Sequence, residues 1–519
     1  MARFFNTTGP CNPTDHYMLP PEDRLLGAQL HRYVRDKLYW VLHAPRQTGK
    51  TTLLQSWMRE LNTTDEYVAL YVTVEDCQTI TDIAEAMRII DFNIKAAFKN
   101  YEFDEKVINT TSDKLTIVSD TLQVISELVA PKPLVVLFDE VDVLEGKPLI
   151  RFLRLLRGGF ATRGAGTFPI SIALVGMRDL KDYITQSKDG IAPNPGSPFN
   201  IKADSATLSN FTRENIGSLF AQRTEETGQQ ITQEALDYVW EQSKGQPWLV
   251  NSLFMRATMR VLDEEDYSTV TLEHIKEARH QIIMARETHL DSLVYRLQNP
   301  EIRRLIEIIM SGEIDTQIAD TEGFRLAQDL GLVVIEKGMI QIANPIYREV
   351  MARQITFGTQ IFVPDPEWQW QKPDGSLDMD ALMKEFQKFW RKHSEIWEQK
   401  SNYTEVFPHL LLMAFLQRIT NGGGRIDREY AAGRGRMDLF VEFDKWQYII
   451  EIKILHDYDT PQSVREEGLT QIQRYRSMVA PEAPAYLVVF DRRSPEKKAA
   501  WDERLSWENE EDGIVIVGG

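Results

Sequence analysis

The chain has 519 residues, 43% of them hydrophobic, and a net charge of −18, which allows about three domains with ordinary cores and excludes a surface that binds nucleic acid everywhere. Cys11 and Cys77 are its only cysteines and form no metal or redox pair, as expected in a reducing cytoplasm. Residues 1–10 lack the apolar core of a signal peptide, and the run Leu410–Leu416 is far short of a membrane span, so the expected location is cytoplasmic, with no membrane partner.

Residues 1–25 are rich in Pro, Asn and Thr and read as an irregular arm lying on the next domain. A helix is expected from about Arg24 to Lys37. The apolar run Leu38–Leu42 then reads as a buried strand. The turn Ala44-Pro45-Arg46-Gln47-Thr48-Gly49 follows, and Lys50-Thr51-Thr52 opens a helix. Strand, loop and helix together form a phosphate cradle, in which loop N–H groups and the positive helix end face a nucleotide's phosphates. Lys50 would reach the outer phosphates of ATP and the Thr51 hydroxyl would bind Mg²⁺. Ala44 departs from the pattern, which usually begins with Gly. Tyr17 or Arg24 is a candidate to border the adenine.

Tyr67–Val74 reads as a neighbouring strand, and helical spacing covers Thr81–Phe98 and Lys114–Leu128. Leu134–Phe138 is a strand buried on both faces, ending in Asp139-Glu140 at the edge where open α/β sheets bind ligands. Asp139 would hold Mg²⁺, directly or through water, and Glu140 would polarise the attacking water. Pro169–Gly176 is a further buried strand. Arg178 beyond it is a candidate sensor of the outermost phosphate, and Arg163 a charge-stabilising arginine, in this chain or across a subunit boundary; surface ion pairs explain either arginine equally well. From Arg213 to about Asp263 the chain turns helical, interrupted by Gly245-Gln246-Pro247.

These features resemble the P-loop ATPases of the AAA+ and STAND type, especially their archaeal ATPase branch, over roughly residues 25–355. Residues 265–355 look like a winged helix: the helix Phe324–Gly331, a hairpin from Leu332 to Ile342 with its turn at Glu336-Lys337-Gly338, and a closing helix opened by Asn344-Pro345. Such a module can enter a DNA groove. In STAND-type proteins it more often acts as a nucleotide-sensing lever, the reading favoured here because the segment Leu330 to Arg348 is not basic overall.

Residues 356–376 read as a linker partly packed by Trp368 and Trp370, and Met379–Glu398 as a long amphipathic helix. Another helix runs from Thr404 through Leu416. Strands follow at Ile426–Ala431, Met437–Val441 and Tyr448–Ile454. Glu451 and Lys453 are two apart and share one face of the last, between Ile450 and Ile452 on the other. An acid and a lysine on an otherwise apolar strand require an explanation. A metal site supplies one: Asp438, Glu451 and the Ile452 carbonyl would hold Mg²⁺, with Mn²⁺ as a substitute, while Lys453 orients the attacking water and steadies phosphate charge.

This arrangement resembles the PD-(D/E)XK nuclease superfamily over about residues 400–495, with Met437 where Pro often precedes the Asp. The resemblance implies further site residues: Gln471 and Tyr475 as the Gln-x-x-x-Tyr element of the RecB-like branch, and Glu405 as the acid of the leading helix. Arg425, Arg428, Arg434, Arg436, Arg474 and Arg476 gather nearby, either to contact a phosphate backbone or to pair with Glu429, Glu442 and Glu466. The tail 501–519 holds an acidic stretch and a candidate edge strand, Gly513–Val517.

The expected fold is an α/β multidomain chain. It comprises an N-terminal arm (1–25), a parallel-sheet P-loop ATPase core (26–212), a helical lid (213–264), a winged helix (265–355), a linker and helix (356–399), and an αβββαβ restriction-endonuclease-like domain (400–519). The expected function is an ATP-controlled, Mg²⁺-dependent nuclease cutting DNA, with defence against foreign DNA as the role that suits a switched nuclease; self-association is left open. The alternative is a nucleotide-dependent sensor or scaffold whose nuclease fold binds nucleic acid or protein without cutting.

Overall fold

The computed structural model describes residues 3–26, 29–99, 117–161, 163, 166–177, 202–285, 288–311, 319, 321–360, 370–398, 411–413, 415–416, 424–432, 435–443, 445–478, 480–494, 496–509 and 513–519. The chain divides into two compact units. One comprises Met1–His289 with Arg325–Met339 and Ala343–Ile346; the other comprises Leu290–Phe324, Ile340–Ile342 and Tyr347–Gly519.

The first unit is built on a six-stranded sheet: β1 (Leu25–Leu26), β2 (Tyr39–His43), β3 (Val68–Thr73), β4 (Leu134–Asp139), β5 (Ser171–Gly176) and β6 (Lys202–Leu208), in the order β1-β6-β2-β5-β4-β3. All neighbours are parallel except β1, which pairs antiparallel with β6. β4 and β5 are buried at every position, the condition of a parallel strand covered on both faces. Alternate side chains divide the core. Trp40, Leu42, Val135, Leu137 and Ala173 lie with α1 (Leu30–Arg35) and α2 (Lys50–Thr63). Val41, Leu70, Val136, Phe138 and Ile172 lie under α3 (Ile83–Lys99), α4 (Ile117–Leu128) and α5 (Gly146–Phe160). Because β5 inserts between β2 and β4, the cradle after β2 and the acids at the end of β4 flank the carboxyl end of one strand. This is the switch-point geometry at which open sheets bind ligands.

One expectation is corrected here, and one strand was not foreseen. The helix expected from Arg24 to Lys37 is shorter, Leu30–Arg35, because Leu25 and Leu26 pair with Leu208 and Thr207 as an edge strand. That partner, β6, has the sequence KADSATL, which is too polar to announce itself as a strand beside β2.

Helices Arg213–Thr227, Gln233–Ser243, Pro247–Arg256 and Leu272–Ala285 complete the main body of this unit. The first carries a reciprocal capping box between Thr212 and Asn215 and ends at left-handed Gly228. Beyond them run helices Thr288–Arg296, Pro300–Ser311 and Glu322–Asp329, a hairpin of β7 (Val333–Glu336) and β8 (Met339–Ile342), and helix Pro345–Gln360. The division between the units passes through this segment.

The second unit contains another six-stranded sheet: β9 (Gly424–Ala432), β10 (Gly435–Phe443), β11 (Trp446–Leu455), β12 (Ala485–Asp491), β13 (Trp507–Asn509) and β14 (Ile514–Gly518), in the order β13-β14-β12-β11-β10-β9. β9, β10 and β11 form an antiparallel meander, and β12 joins β11 in parallel. The tail is part of this sheet: β14 pairs parallel with β12 and β13 caps the edge. Helix Met379–Glu398 lays Leu382, Met383, Phe386 and Trp390 on one face, against Leu439, Val441, Ile450 and Ile452. Helix Pro461–Met478 covers the other through Ile472 and Tyr475, against Phe440, Ile449 and Leu487. Gly468 permits that approach, since a Cβ there would fall 2.4 Å from a Leu487 methyl.

Candidate active sites

The phosphate cradle is closed by its own polar atoms. Gln47 and Gly49 take left-handed backbone (φ 55° and 96°), the local geometry that turns successive N–H groups toward one centre. Gly49 has a second constraint, because a Cβ there would lie 2.7 Å from an Arg24 guanidinium nitrogen. Ala44 stands where the usual Gly would be because it still belongs to the sheet: its N–H bonds the Gly176 carbonyl at 3.2 Å and its methyl is buried. Lys50 is buried and donates to the carbonyls of Ala44 (2.9 Å) and Pro45 (3.0 Å). Burial pushes its pKa down, opposed by the nearby carboxylates of Glu140, Asp139 and Asp142.

Thr51 donates its hydroxyl to Asp139 at 2.7 Å, and Tyr71 donates to the same carboxylate oxygen at 3.0 Å. The sequence-predicted hydroxyl and acid therefore meet although 88 residues separate them. Two hard oxygens at this spacing, one from the cradle helix and one from β4, fit a Mg²⁺–phosphate group. Glu140 sits at φ 58° with its N–H on Asp139 Oδ1 at 3.0 Å. Burial raises its pKa, while Lys50 pulls it down, the pattern of a carboxyl group suited to handle a water proton.

A cavity of about 340 Å³ opens from the cradle and is walled by the arm and the helices after residue 210: Tyr17, Arg24, Phe211, Pro247, Trp248 and Asn251 line it together with Lys50 and Thr51. The arm is held there by Cys11 N–H to Thr52 Oγ1 (3.0 Å), Trp248 Nε1–H to the Thr7 carbonyl (2.9 Å) and Gln222 Nε2–H to the Met18 carbonyl (2.9 Å). Tyr17 and Arg24 both line the cavity, as candidates for the nucleotide's border should. Reasoning from sequence missed Trp248, Asn251 and the arm's backbone. The available signal was Gly245-Gln246-Pro247. Gln246 caps its helix by accepting from Leu249 N–H and donates to the Gln47 carbonyl at 3.4 Å. Gly245 (φ +75°) leaves only 2.0 Å between a would-be Cβ and the Phe211 carbonyl oxygen. Gly245→Ala is expected to destabilise the first unit by at least ~2 kcal/mol, through backbone strain and displacement of Phe211, seen as a lower denaturant midpoint.

His289 packs its ring on Trp248, 4.7 Å between centroids. Burial, assisted by Arg46, pushes its pKa from 6.5 down to about 4. The folded state therefore holds this imidazole neutral where the unfolded chain binds a proton. The stability it contributes is complete above pH 6.5 and is lost as pH falls toward 4. A loss on the order of 2 kcal/mol is expected by pH 5. His289→Phe should flatten the decline of melting temperature between pH 7 and pH 5.

One arginine is reassigned. Arg163 donates to the carbonyls of Lys37 and Phe160 and lies over the Phe160 ring. Lys37 precedes β2, so within this chain Arg163 sits at the end of the sheet opposite the phosphate cradle. Arg178 lies outside the described residues.

In the second unit, helix Pro461–Met478 and strand β11 keep step. Lys453 Nζ meets Glu467 Oε1 at 2.7 Å, and Tyr475 lies in the same buried cluster as Ile449. Four helix residues advance about 6 Å and two strand residues about 6.6 Å. Gln471, midway from Glu467 to Tyr475, therefore comes opposite Glu451, midway from Lys453 to Ile449. Glu451 is 3% exposed, and its Oε1 lies 3.6 Å from Lys453 Nζ. Gln471 Oε1 is buried with no hydrogen-bond partner among the described residues. A buried carboxylate beside an unsatisfied amide oxygen is a hard-oxygen set suited to Mg²⁺ or Mn²⁺.

The pairing Leu439↔Ile450 carries Asp438 to the next step of the ladder, at the level of Glu451. The strand alone places Asp438. Among the described residues no three His, Cys, Asp or Glu side chains converge as a metal site, and Glu405 lies outside those residues. Arg476, read as either a phosphate contact or an ion-pair partner, donates to the Ala483 carbonyl (3.0 and 2.9 Å) and the Gly513 carbonyl (3.5 Å), so it ties the helix to the loops that lead into β12 and β14. No helix among the described residues is long and apolar enough to cross a membrane.

Comparison with known proteins finds two family models on the chain. The model of the AAA-like domain matches residues 34–353, and that of the PD-(D/E)XK nuclease superfamily matches residues 403–489. No curated protein matches the chain. Among solved structures, a Walker-type ATPase of Pyrococcus abyssi is similar at 14% identity with a TM-score of 0.47, covering 67% of this chain and 99% of that one. Cdc6p of Pyrobaculum aerophilum follows at 13% and 0.34, covering 62% and 88%. The RuvB Holliday junction branch migration motor of Thermotoga maritima follows at 11% and 0.33, covering 60% and 87%.

Proposed function

Because the chain belongs to the AAA-like domain family, whose model spans more than half of it, and carries a PD-(D/E)XK nuclease domain behind that region, we propose that it is an ATP-controlled nuclease. In this reading Lys50, Thr51 and the cradle N–H groups hold the phosphates of ATP, and the Thr51–Asp139 pair holds Mg²⁺. Glu140 takes the proton of the attacking water. In the rear domain Asp438, Glu451 and the Ile452 carbonyl hold a divalent ion that supplies Lewis-acid stabilisation of the scissile phosphate. Lys453 holds its ammonium beside the phosphate, and Gln471 and Tyr475 complete that wall. The substrate is DNA, and a switched activity suits defence against foreign DNA. Domain limits, self-association and a cytoplasmic setting are proposed as the sequence reading drew them, with residues 265–355 serving as a winged-helix lever.

The observation that carries the nuclease reading is the set of Glu451, Lys453 and Gln471 on one face of β11 and its covering helix. The control by ATP has support in the first unit. Gly331, left-handed at φ +71° at the turn before the β7–β8 hairpin, packs so closely on Pro45 that a Cβ would fall 2.7 Å from the proline ring. Lys50, the residue assigned to the phosphates, is bonded to the Pro45 carbonyl at 3.0 Å. A phosphate that draws Lys50 away acts directly on the residue the hairpin turn rests against. The test is cleavage of plasmid and linear DNA by the intact chain with ATP, ADP or a non-hydrolysable analogue, in Mg²⁺ and Mn²⁺. Cleavage that changes with the nucleotide supports the reading. Nucleotide turnover with no cut product under either ion favours the binding-only alternative.

A further inference from the structure

The loop leaving β11 presents an aromatic side chain with no role in the sites above. Tyr458 is 82% exposed, the most open large hydrophobic side chain among the described residues. Its ring stacks on His456, 5.0 Å between centroids and 12° from parallel. An aromatic ring in water normally folds onto an apolar surface or belongs to a mobile tip. This one is on a fixed loop. His456 N–H bonds Asp459 Oδ2 at 3.0 Å, Ser494 donates its N–H and hydroxyl to Asp457 Oδ1 at 2.9 and 3.1 Å, and Lys497 Nζ bonds the Asp457 carbonyl at 3.2 Å. The Arg492 N–H bonds the Leu455 carbonyl at 3.0 Å, which joins this loop to the one after β12.

The loop begins three residues past Lys453, about 10 Å along the strand, which is one or two nucleotides of an extended single strand. Arg492, Lys497 and Lys498 stand on the adjoining loop, and Arg492 has no carboxylate partner among the described residues. Asp457 and Asp459 oppose these cations from the first loop and Glu496 from the second; Asp457 is turned toward Ser494 and Asp459 toward the His456 N–H. A flat ring presented at low entropic cost, beside cations and near a phosphodiester site, matches the face of an unpaired base.

We propose that the Tyr458–His456 stack is a platform for a base of single-stranded nucleic acid, such as a frayed or overhanging end, next to the position of cutting. The proposal rests on the nuclease reading for the location of that position, and its test is separate from cutting. Binding of a fluorescein-labelled oligo(dT) and of a blunt duplex to the full chain is measured by anisotropy in EDTA. Stacking on one aromatic ring contributes about 1–3 kcal/mol, so Tyr458→Ala should weaken oligo(dT) binding about 5- to 150-fold. Tyr458→Phe should stay within about twofold of the parent, and duplex affinity should hardly change. Unaltered oligo(dT) binding by Tyr458→Ala, an equal loss for both substrates, or no binding of oligo(dT) by the parent chain overturns the platform. Tyr458-dependent binding by a parent chain that cuts nothing with Mg²⁺ or Mn²⁺ upholds the platform and removes the nuclease reading instead.

Discussion

Lys50→Ala is expected to abolish measurable ATP binding while leaving the fold intact. Lys50 is buried at the head of α2, and its hydrogen-bond acceptors among the described residues are the Ala44 and Pro45 carbonyls of its own loop. A buried ammonium held by neutral carbonyls is a costly arrangement, which is why burial lowers its pKa. Triphosphate oxygens are far better acceptors: each charge-assisted hydrogen bond contributes about 1.5–3 kcal/mol. Two such bonds lost correspond to a rise in Kd on the order of 10²- to 10⁴-fold. The apo protein loses two hydrogen bonds to neutral carbonyls but also a desolvated charge, so its own melting temperature should move by only a few degrees. Thermal shift with and without Mg²⁺–ATP separates the two effects. The parent should gain stability with ligand by mass action and Lys50→Ala should not. A variant that still melts higher with ATP would show that Lys50 does not face the phosphates. Thr51→Val makes a milder companion: it loses the 2.7 Å contact to Asp139, so its defect should be deepest when Mg²⁺ is limiting.

The sequence made the front site legible because strand, loop and helix each carry a local signature there. Tyr39–Leu42 and Leu134–Phe138 are unbroken apolar runs, and the Gly49-Lys50 step fixes where the helix begins. The meeting of Thr51 with Asp139 follows once β2 and β4 are placed beside β5. Other parts depend on long-range partners that no local pattern encodes. Phe5 carries no local signature, yet it packs with Tyr17, Phe220 and Phe254 and so brings the arm to the nucleotide cavity. Leu25 and Leu26 look like the start of a helix until β6 arrives to pair with them. Charge misled in the same way. Arg163 and Arg476 are cations near candidate sites in sequence, but both donate to backbone carbonyls, because a guanidinium with five N–H groups satisfies loop ends as readily as phosphates. In the rear domain the spacing of Glu451 and Lys453 identified their shared face. The opposition of Glu467 to Lys453 appears only when helix and strand are seen to advance in step.

Lys453→Ala should reduce cleavage by at least about 10²-fold, the usual effect of removing one preorganised donor from a developing phosphate charge. The geometry also sets how the loss arises. Lys453 Nζ lies 2.7 Å from Glu467 and 3.6 Å from Glu451, a pairing that holds the side chain beside the acid proposed to bind the ion. In the proposed mechanism Lys453 acts as a cation that positions water and phosphate rather than as a general base. Two consequences separate these roles. Lys453→Arg, which keeps the charge but not the compact ammonium, should recover part of the rate, whereas a general base would not be restored by arginine. Glu467 is 63% exposed at its side chain, so its pairing contributes little to stability, and Glu467→Gln should leave the melting temperature within about 1 °C. It should nevertheless lower kcat several-fold, by freeing Lys453 to swing away from the phosphate, with Mn²⁺ affinity unchanged by calorimetry. Glu451→Gln should do the reverse, weakening Mn²⁺ binding first, since in the proposed mechanism Glu451 would supply an oxygen to the ion. If Lys453→Ala and Glu451→Gln both cut DNA at the parental rate, the activity resides elsewhere in the chain. If Glu467→Gln weakens Mn²⁺ binding as strongly as Glu451→Gln, then Glu467 is itself a ligand and its contact with Lys453 is the resting state of that ligand.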